Sequence, residues 1–185
     1  ASAPARLFDA SGLGDAQVRI FDPRVLDAVA ALPQVAHVTR QQVVVGRIEG
    51  GGVRYAGVVA PALVDDANPR PVVVRGRAAA IDRADEVVVT EDAARTAGFA
   101  PGDVVRLALL TPEEMQQFDT GFGDPDGPTV SLTVTGVARV PPGTYNGTPV
   151  LATPAFAAAH AALFSGIDLD VALRRGALDL SAFTR

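Results

Sequence analysis

Residues 18–48 read VRIFDPRVLDAVAALPQVAHVTRQQVVVGRI, and this stretch predicts a strand, a helix and a long second strand in succession. After the first short β-type run, Asp22 supplies a helix N-cap, and Pro23 stands at the first helical position, where its missing N–H costs nothing. Apolar residues at helical spacing follow until Pro33 ends the helix. Residues 35–48 then predict a strand with three valines at its centre. The fold therefore begins with a strand-helix-strand unit.

The remainder of the chain predicts mostly strands joined by turns. The glycine run 50–52 is a turn that returns the chain as the partner strand of a hairpin. Further strands are predicted at 53–59, 72–74, 86–89, 104–110, 130–140, 148–152 and 167–173, and short helices at 91–97, 154–164 and from residue 178 onward. Residues 111–128, rich in glycine and proline, predict an exposed excursion between two strands, opened by a helical turn at 112–118.

The end of the chain repeats the pattern of its beginning. A strand at 170–173 followed by a helix from Leu178 corresponds to the opening strand at 18–21 and helix at 25–32. If the two units pair, the chain ends form a ferredoxin-like βαβ pair, and the middle of the chain is inserted as a β-rich lobe. The second unit lacks its returning strand, so we expect the native chain to continue for one more strand.

Composition limits the classes of protein to which the chain can belong. Its 185 residues, 48% hydrophobic and 20% charged, suit one globular domain or two small intertwined subdomains. No apolar run approaches the roughly 20 residues of a membrane helix, and the first ten residues lack the apolar core of a secretory signal. All sixteen basic residues are arginines interleaved with acids, and the net charge of −5 argues against nucleic acid as a partner. The absence of cysteine excludes disulfides, thiolate metal sites and a cysteine nucleophile.

The sequence carries no constellation typical of catalysis. His37 and His160 are the only histidines, one on a predicted strand and one in an alanine-rich helix, where structural roles are favoured. No G-x-S-x-G elbow is present. The adjacent carboxylates fall on polar segments, at 65–66, 91–92 and 113–114. We therefore predict that the chain is not an enzyme, with no catalytic, cofactor-binding or metal-binding residues and no cofactor.

Two segments have some of the residue types of ligand sites. Residues 119–127, DTGFGDPDG, offer the oxygen ligands that calcium prefers, but the spacing does not match an EF-hand loop and no closing glutamate follows. An ordinary turn is favoured, and whether Asp119–Asp126 binds a cation is left open. Gly50–Gly52 lies between strands rather than before a helix, and the chain has no lysine, which excludes a P-loop. Residues 146–148 form a glycosylation sequon of a kind common by chance.

Several segments resemble the extracytoplasmic domain of FtsX/MacB-like ABC-transporter permeases. The segments are LDAVAALPQVAHV at 26–38, VRGRAAAIDRADEVVVTEDAARTAGFAPGDVVRL at 74–107, VTGVARV at 134–140, LATPAFA at 151–157 and VALRRGALDLSAF at 171–183. Each is weak alone, and their order and spacing carry the resemblance across most of residues 20–183. The excursion at 111–128 matches least well.

The resemblance implies a fold and a role. The fold is α+β: a porter-like subdomain formed by both chain ends, residues 16–60 and 146–185, with residues 61–145 inserted as a β-rich lobe. Such domains lie at the extracytoplasmic face of the bacterial cell membrane, between membrane helices of the permease. They bind substrates, lipoproteins or partner proteins and relay movement driven by a cytoplasmic ATPase subunit. The implied partners are the rest of the permease, which works as a dimer, the ATPase, and a lipid, peptide or lipoprotein substrate. No functional residue transfers to this chain.

A second resemblance leads to an alternative function. Residues 90–107 and 134–143 also look like the C-terminal barrel of molybdopterin oxidoreductases, which would make the chain a cofactor-binding β-barrel module. This alternative explains only residues 87–145 and leaves the opening unit unassigned. An independent hydrolase is disfavoured because no base and nucleophile pair is present. If the chain is a permease domain, residues 111–128 and the hairpin tip at 50–52 are predicted to be mobile and nearest to partners, because they carry few apolar anchors.

Overall fold

The structure, a computed structural model, describes residues 14–20, 24–50, 54–61, 72–121, 123–140, 149–164 and 167–184. The fold is a mixed α/β structure whose core is mostly sheet. Its strands are β1 (Ala16–Ile20), β2 (Val35–Ile48), β3 (Tyr55–Pro61), β4 (Val72–Gly76), β5 (Glu86–Thr90), β6 (Val104–Leu109), β7 (Thr129–Arg139), β8 (Pro149–Leu151) and β9 (Ile167–Leu173). The helices are α1 (Val25–Ala30), α2 (Glu91–Ala97), α3 (Pro112–Gln116), α4 (Pro154–Ala159) and α5 (Leu180–Phe183), with 3-10 turns at Ala161–Leu163 and Gly176–Asp179.

Six of the strands pair in a closed ring. β2 pairs with β3, β3 with β8, β8 with β5, β5 with β7, β7 with β6, and β6 returns to β2. The pairs β3–β8 and β5–β7 are parallel and the others are antiparallel. Because the ring is closed, each of its strands pairs with another ring strand on both sides, and this part of the sheet has a barrel-like form.

The long strands β2 and β7 extend the ring on either side. One edge of β2 is shared, with β9 pairing to its first half and β6 to its last three residues. One edge of β7 is shared in the same way between β6 and β4. The fourteen residues of β2 therefore belong both to the ring and to the strands that pair outside it.

The ring encloses the main hydrophobic core. Alternate residues of its strands form one cluster, and α2 and α4 add Ala93, Ala94, Phe156 and Ala157 to it. Both helices begin with a threonine cap that the sequence places just before them. The hydroxyl of Thr90 accepts a hydrogen bond from the amide of Ala93, and that of Thr153 from the amide of Phe156. These caps fix where each helix starts and so direct its apolar face onto the ring.

The two ends of the chain meet in a three-stranded sheet ordered β1-β9-β2. β9 lies between β1 and β2 and is antiparallel to both, so that β1, α1 and β2 form a split βαβ unit. A second hydrophobic cluster covers one face of this sheet, with Leu26 of α1 and Phe183 of α5 packed on β9. The strands of the first and last units, β1 and β9, are therefore paired with each other.

The predicted elements are found with small differences at their ends. The helix predicted to run to residue 164 ends at Ala159, because His160 leaves helical geometry at φ −121° and ψ 26° and a 3-10 turn follows. Gly98 ends α2 in the left-handed conformation at φ 78°, as the sequence predicts. The predicted cap at Asp22-Pro23 and the turn residues 51–52 lie outside the described residues.

Candidate partner-binding region

The segment 111–128 opens with a helix that a buried carboxylate holds in place. In α3, the Thr111 hydroxyl accepts from the Glu114 amide at 3.3 Å, and Glu114 Oε2 accepts from the Thr111 amide at 2.8 Å. This reciprocal pair is a capping box, and Pro112 stands in the first turn. Glu114 Oε1 also accepts from the Asp126 amide at 3.0 Å, and the residue is only 7% exposed. One side chain therefore ties the start of the segment to its end.

Further contacts fasten the segment to the β2–β3 hairpin. Arg47 Nη1 donates to Asp124 Oδ1 at 2.6 Å, and this hydrogen bond raises the pKa of Arg47. The rings of Tyr55 and Phe118 meet edge to face with centroids 5.3 Å apart. The segment is therefore fastened by one ion pair and one aromatic contact, and its mobility and its nearness to partners stay predictions. The alternation pattern could not show these contacts, because each joins residues far apart in sequence.

The hairpin and the segment together form one exposed region, which we call the loop region: residues 47–50, 54–55 and 111–128 as far as they are described. Beside this region, Arg106 of β6 forms an ion pair with Glu49, with Nε and Oε2 3.1 Å apart. Phe118 is 40% exposed and the Asp124 side chain 89% exposed. The described part of the hairpin and the segment 111–128 therefore lie against each other, and they present an aromatic ring beside charged groups.

Two carboxylates of the loop region have partners within the protein. Asp124 is held by Arg47, and Glu114 is occupied by backbone amides. Across the described part of the chain, no three histidine or carboxylate side chains gather in a way that could hold a metal ion. The cation question that Asp119–Asp126 raised in the sequence therefore gains no positive support from the geometry.

The remaining candidates are distributed over the structure rather than brought together. The ring centroids of His160 and Phe156 are 4.5 Å apart, and burial lowers the pKa of His160. Glu91 pairs with Arg139, which holds the pKa of that carboxyl below its ordinary value, and Asp92 pairs with Arg95. Residues 65–66 and 146–148 lie outside the described residues.

Two carboxylates with strongly shifted pKa values were not identified from the sequence. The hydrogen bonds from Arg77, with help from the Ala80 amide, lower the pKa of Glu86 to about 2. Burial raises the pKa of Asp170 to about 6. Asp170 stands between Leu169 and Val171 in β9, so strand alternation alone places it on the face opposite the second hydrophobic cluster. This alternation in the sequence could have shown on which face of β9 Asp170 lies.

The strands of the barrel-like ring can be compared with residues 87–145, the interval on which the molybdopterin alternative depends. Residues 87–145 supply β6, β7 and nearly all of β5, whereas β2, β3 and β8 come from outside that range. The interval that resembles the oxidoreductase barrel therefore does not close a barrel by itself.

No helix in the described ranges is long and apolar enough to cross a membrane.

Comparisons with known proteins give structural likenesses and no sequence match. No protein-family model and no curated protein matches the chain. It is similar to the extracellular domain of the noncanonic ABC-type transporter YknZ from Gram-positive bacteria, at 10% identity over 89% of this chain and 78% of that one, with a TM-score of 0.46. It is also similar to the periplasmic region of MacB from Actinobacillus actinomycetemcomitans, at 11% identity over 94% and 83%, with a TM-score of 0.45. The first of these structures is an extracellular domain, and the second is a periplasmic region.

Proposed function

We propose that this chain is a non-catalytic extracytoplasmic domain of an ABC-transporter permease subunit. In this role it engages substrate or partner proteins and relays movement driven by a cytoplasmic ATPase subunit. The observation that carries the proposal is the meeting of the two chain ends. Asp15 Oδ2, just before β1, accepts from the Leu173 amide at the end of β9 at 2.7 Å. Gln34 Nε2 donates to the Ala182 carbonyl of α5, so the chain beyond β9 stays at the same end of the sheet.

The segments just before β1 and just after β9 lie at one end of one sheet, and this arrangement suits insertion between two membrane helices. The ferredoxin-like pair of chain ends, residues 16–60 and 146–185, is the membrane-proximal part in this proposal. Residues 61–145 are the distal lobe. Strands from both parts contribute to the closed ring, so the two parts would move together rather than hinge freely.

The strand β2 supplies a physical route for relaying movement. At about 3.4 Å per residue, its fourteen residues extend roughly 45 Å. Its first half pairs with β9 beside the chain ends, and its last residues pair with β6 and lead into the loop region. Because a paired strand resists compression and bending, a displacement at the chain ends would reach the loop region. The partners in this proposal are the rest of a dimeric permease, its ATPase and a lipid, peptide or lipoprotein.

The location can be tested by cysteine labelling, because these 185 residues contain no cysteine and any cysteine elsewhere in the full-length protein can be replaced first. We expect Ile81→Cys, at a 56% exposed position, to react with a membrane-impermeant maleimide in intact cells that express the full-length protein. The matched control is Val89→Cys, at a fully buried position, which should react only after denaturation. Labelling of Ile81→Cys that requires lysis of the cells would overturn the extracytoplasmic assignment.

The same preparation separates the permease proposal from the molybdopterin alternative. The purified full-length protein should bring down an ATPase subunit and contain no stoichiometric molybdenum or pterin. Stoichiometric molybdenum and pterin without an ATPase would replace the proposal by the alternative.

A further inference from the structure

Asp170 is a buried carboxylate for which no described side chain is a partner. It is 4% exposed, neither of its oxygens accepts a hydrogen bond of good geometry within the described part of the chain, and only the nearby Gly14 amide favours its charged form. Its register partners are Gln17 on β1 and Thr39 on β2, so it stands at the centre of the three-stranded sheet. Burying a charged carboxylate without a partner is costly, whereas burying its neutral form costs much less.

The surroundings of Asp170 contain a second buried polar atom without a partner. His37 lies opposite Ala172, two residues along β9 from Asp170 and on the same face, and its Nε2 has no hydrogen bond to the described residues. The other ionisable groups of the described chain around this face are Asp15 before β1 and Asp168 on β9, with Arg19 of β1 opposite Asp168 in the register. Helices α1 and α5 pack on the opposite face. Among the described side chains, none forms an ion pair with the Asp170 carboxylate.

The direction of the effect follows from the charge environment. Burial is the main cause that raises the pKa of Asp170 from 3.8 to about 6; the charge of Asp15 adds to the shift, and the nearby Gly14 amide opposes it. A folded-state pKa above the unfolded value means that the structure favours the protonated form. The corresponding stabilisation is complete below pH 3.8 and is lost as the pH rises through about 6.

We propose that Asp170 acts as a pH-dependent latch on β1, holding it firmly on β9 in mildly acidic solution and loosening it near neutral pH. β1 is the element to respond because it has five residues and, among the described strands, pairs only with β9. Opening that pair gives the Asp170 carboxylate access to water, whereas the ring strands can stay paired. The inference concerns the chain's own stability and holds whatever the domain transports or binds.

Amide hydrogen exchange of the 185-residue chain tests the latch. After correction for the intrinsic pH dependence of exchange, the opening equilibrium for the β1 amides and their β9 partners should rise about tenfold between pH 5 and pH 7.5. Amides of the β6–β7 pair, which lie in the ring, should not show this rise. Equal changes in both sets, or no change in β1, would overturn the proposal.

Matched variants identify the responsible group. Asp170→Asn, which keeps the shape and cannot ionise, should abolish the rise, whereas Asp168→Asn on the same strand and face should keep it. His37→Gln should also keep it, and loss of the rise in that variant would assign the effect to His37 instead. Should Asp170→Asn fail to fold, the carboxyl carbon of Asp170 in the unmodified chain decides by its NMR titration. A midpoint near 6 supports the latch, and a midpoint near 4 overturns it.

Discussion

Replacing Phe156 by alanine is expected to lower the free energy of unfolding by about 3–5 kcal/mol. Phe156 is fully buried and lies in α4, whose apolar face packs on the core of the ring. The substitution removes a ring-sized volume from a cluster contributed by strands far apart in sequence, and the closed ring can collapse around the gap only in part. Urea denaturation followed by circular dichroism measures the change, with an unchanged dependence on urea concentration if unfolding stays cooperative.

The control for this prediction is Leu178→Ala. Leu178 is 78% exposed, so the same kind of truncation should change stability by less than about 0.5 kcal/mol. A loss below about 1 kcal/mol for Phe156→Ala would mean that α4 is not part of the core, and the packing of the ring would then have to be revised.

Much of the fold could be predicted from the sequence because its information is local. Alternating apolar residues mark β7 and β9, three central valines mark β2, and threonine caps with a following proline mark α3 and α4. The similarity of the two end units also predicted that they would pair. Closure of the ring could not be predicted, because it depends on the parallel pairs β3–β8 and β5–β7, whose partners are separated by long stretches of chain. Periodicity gives the face of a strand but does not identify its neighbour.

The loop region shows the same limit at the level of single residues. The sequence indicated a helical turn at 112–118 and treated the carboxylates at 113–114 as a solvated pair. The structure exposes Glu113 and buries Glu114. The difference arises because the amide of Asp126, twelve residues further along, reaches Glu114. A non-local hydrogen bond of this kind leaves no trace in composition or spacing. Asp170 is similar, since its strand position was predictable and its lack of a partner was not.

Replacing Glu114 by alanine is expected to lower the free energy of unfolding by about 2–4 kcal/mol, because the change removes a charged acceptor from two backbone amides at once. The Thr111 amide loses its half of the capping box, and the Asp126 amide loses its bond at the far end of the segment. Urea denaturation gives the global change. Chymotrypsin, which has sites at Phe118 and Phe122, reports the local one. Cleavage within 111–128 should become faster under native conditions.

Glu113→Ala is the matched control, because Glu113 is the same residue type one position earlier and is exposed. It should leave both stability and cleavage nearly unchanged, since no described hydrogen bond depends on it. If Glu114→Ala accelerates cleavage without lowering global stability, the segment opens independently of the ring, and a partner could bind it in an open form. If both quantities change together, the segment folds as part of the hairpin and presents Phe118 to partners on a fixed support. If neither changes, the two hydrogen bonds of Glu114 do not hold the loop region, and a movement relayed along β2 would then have no firm connection to it.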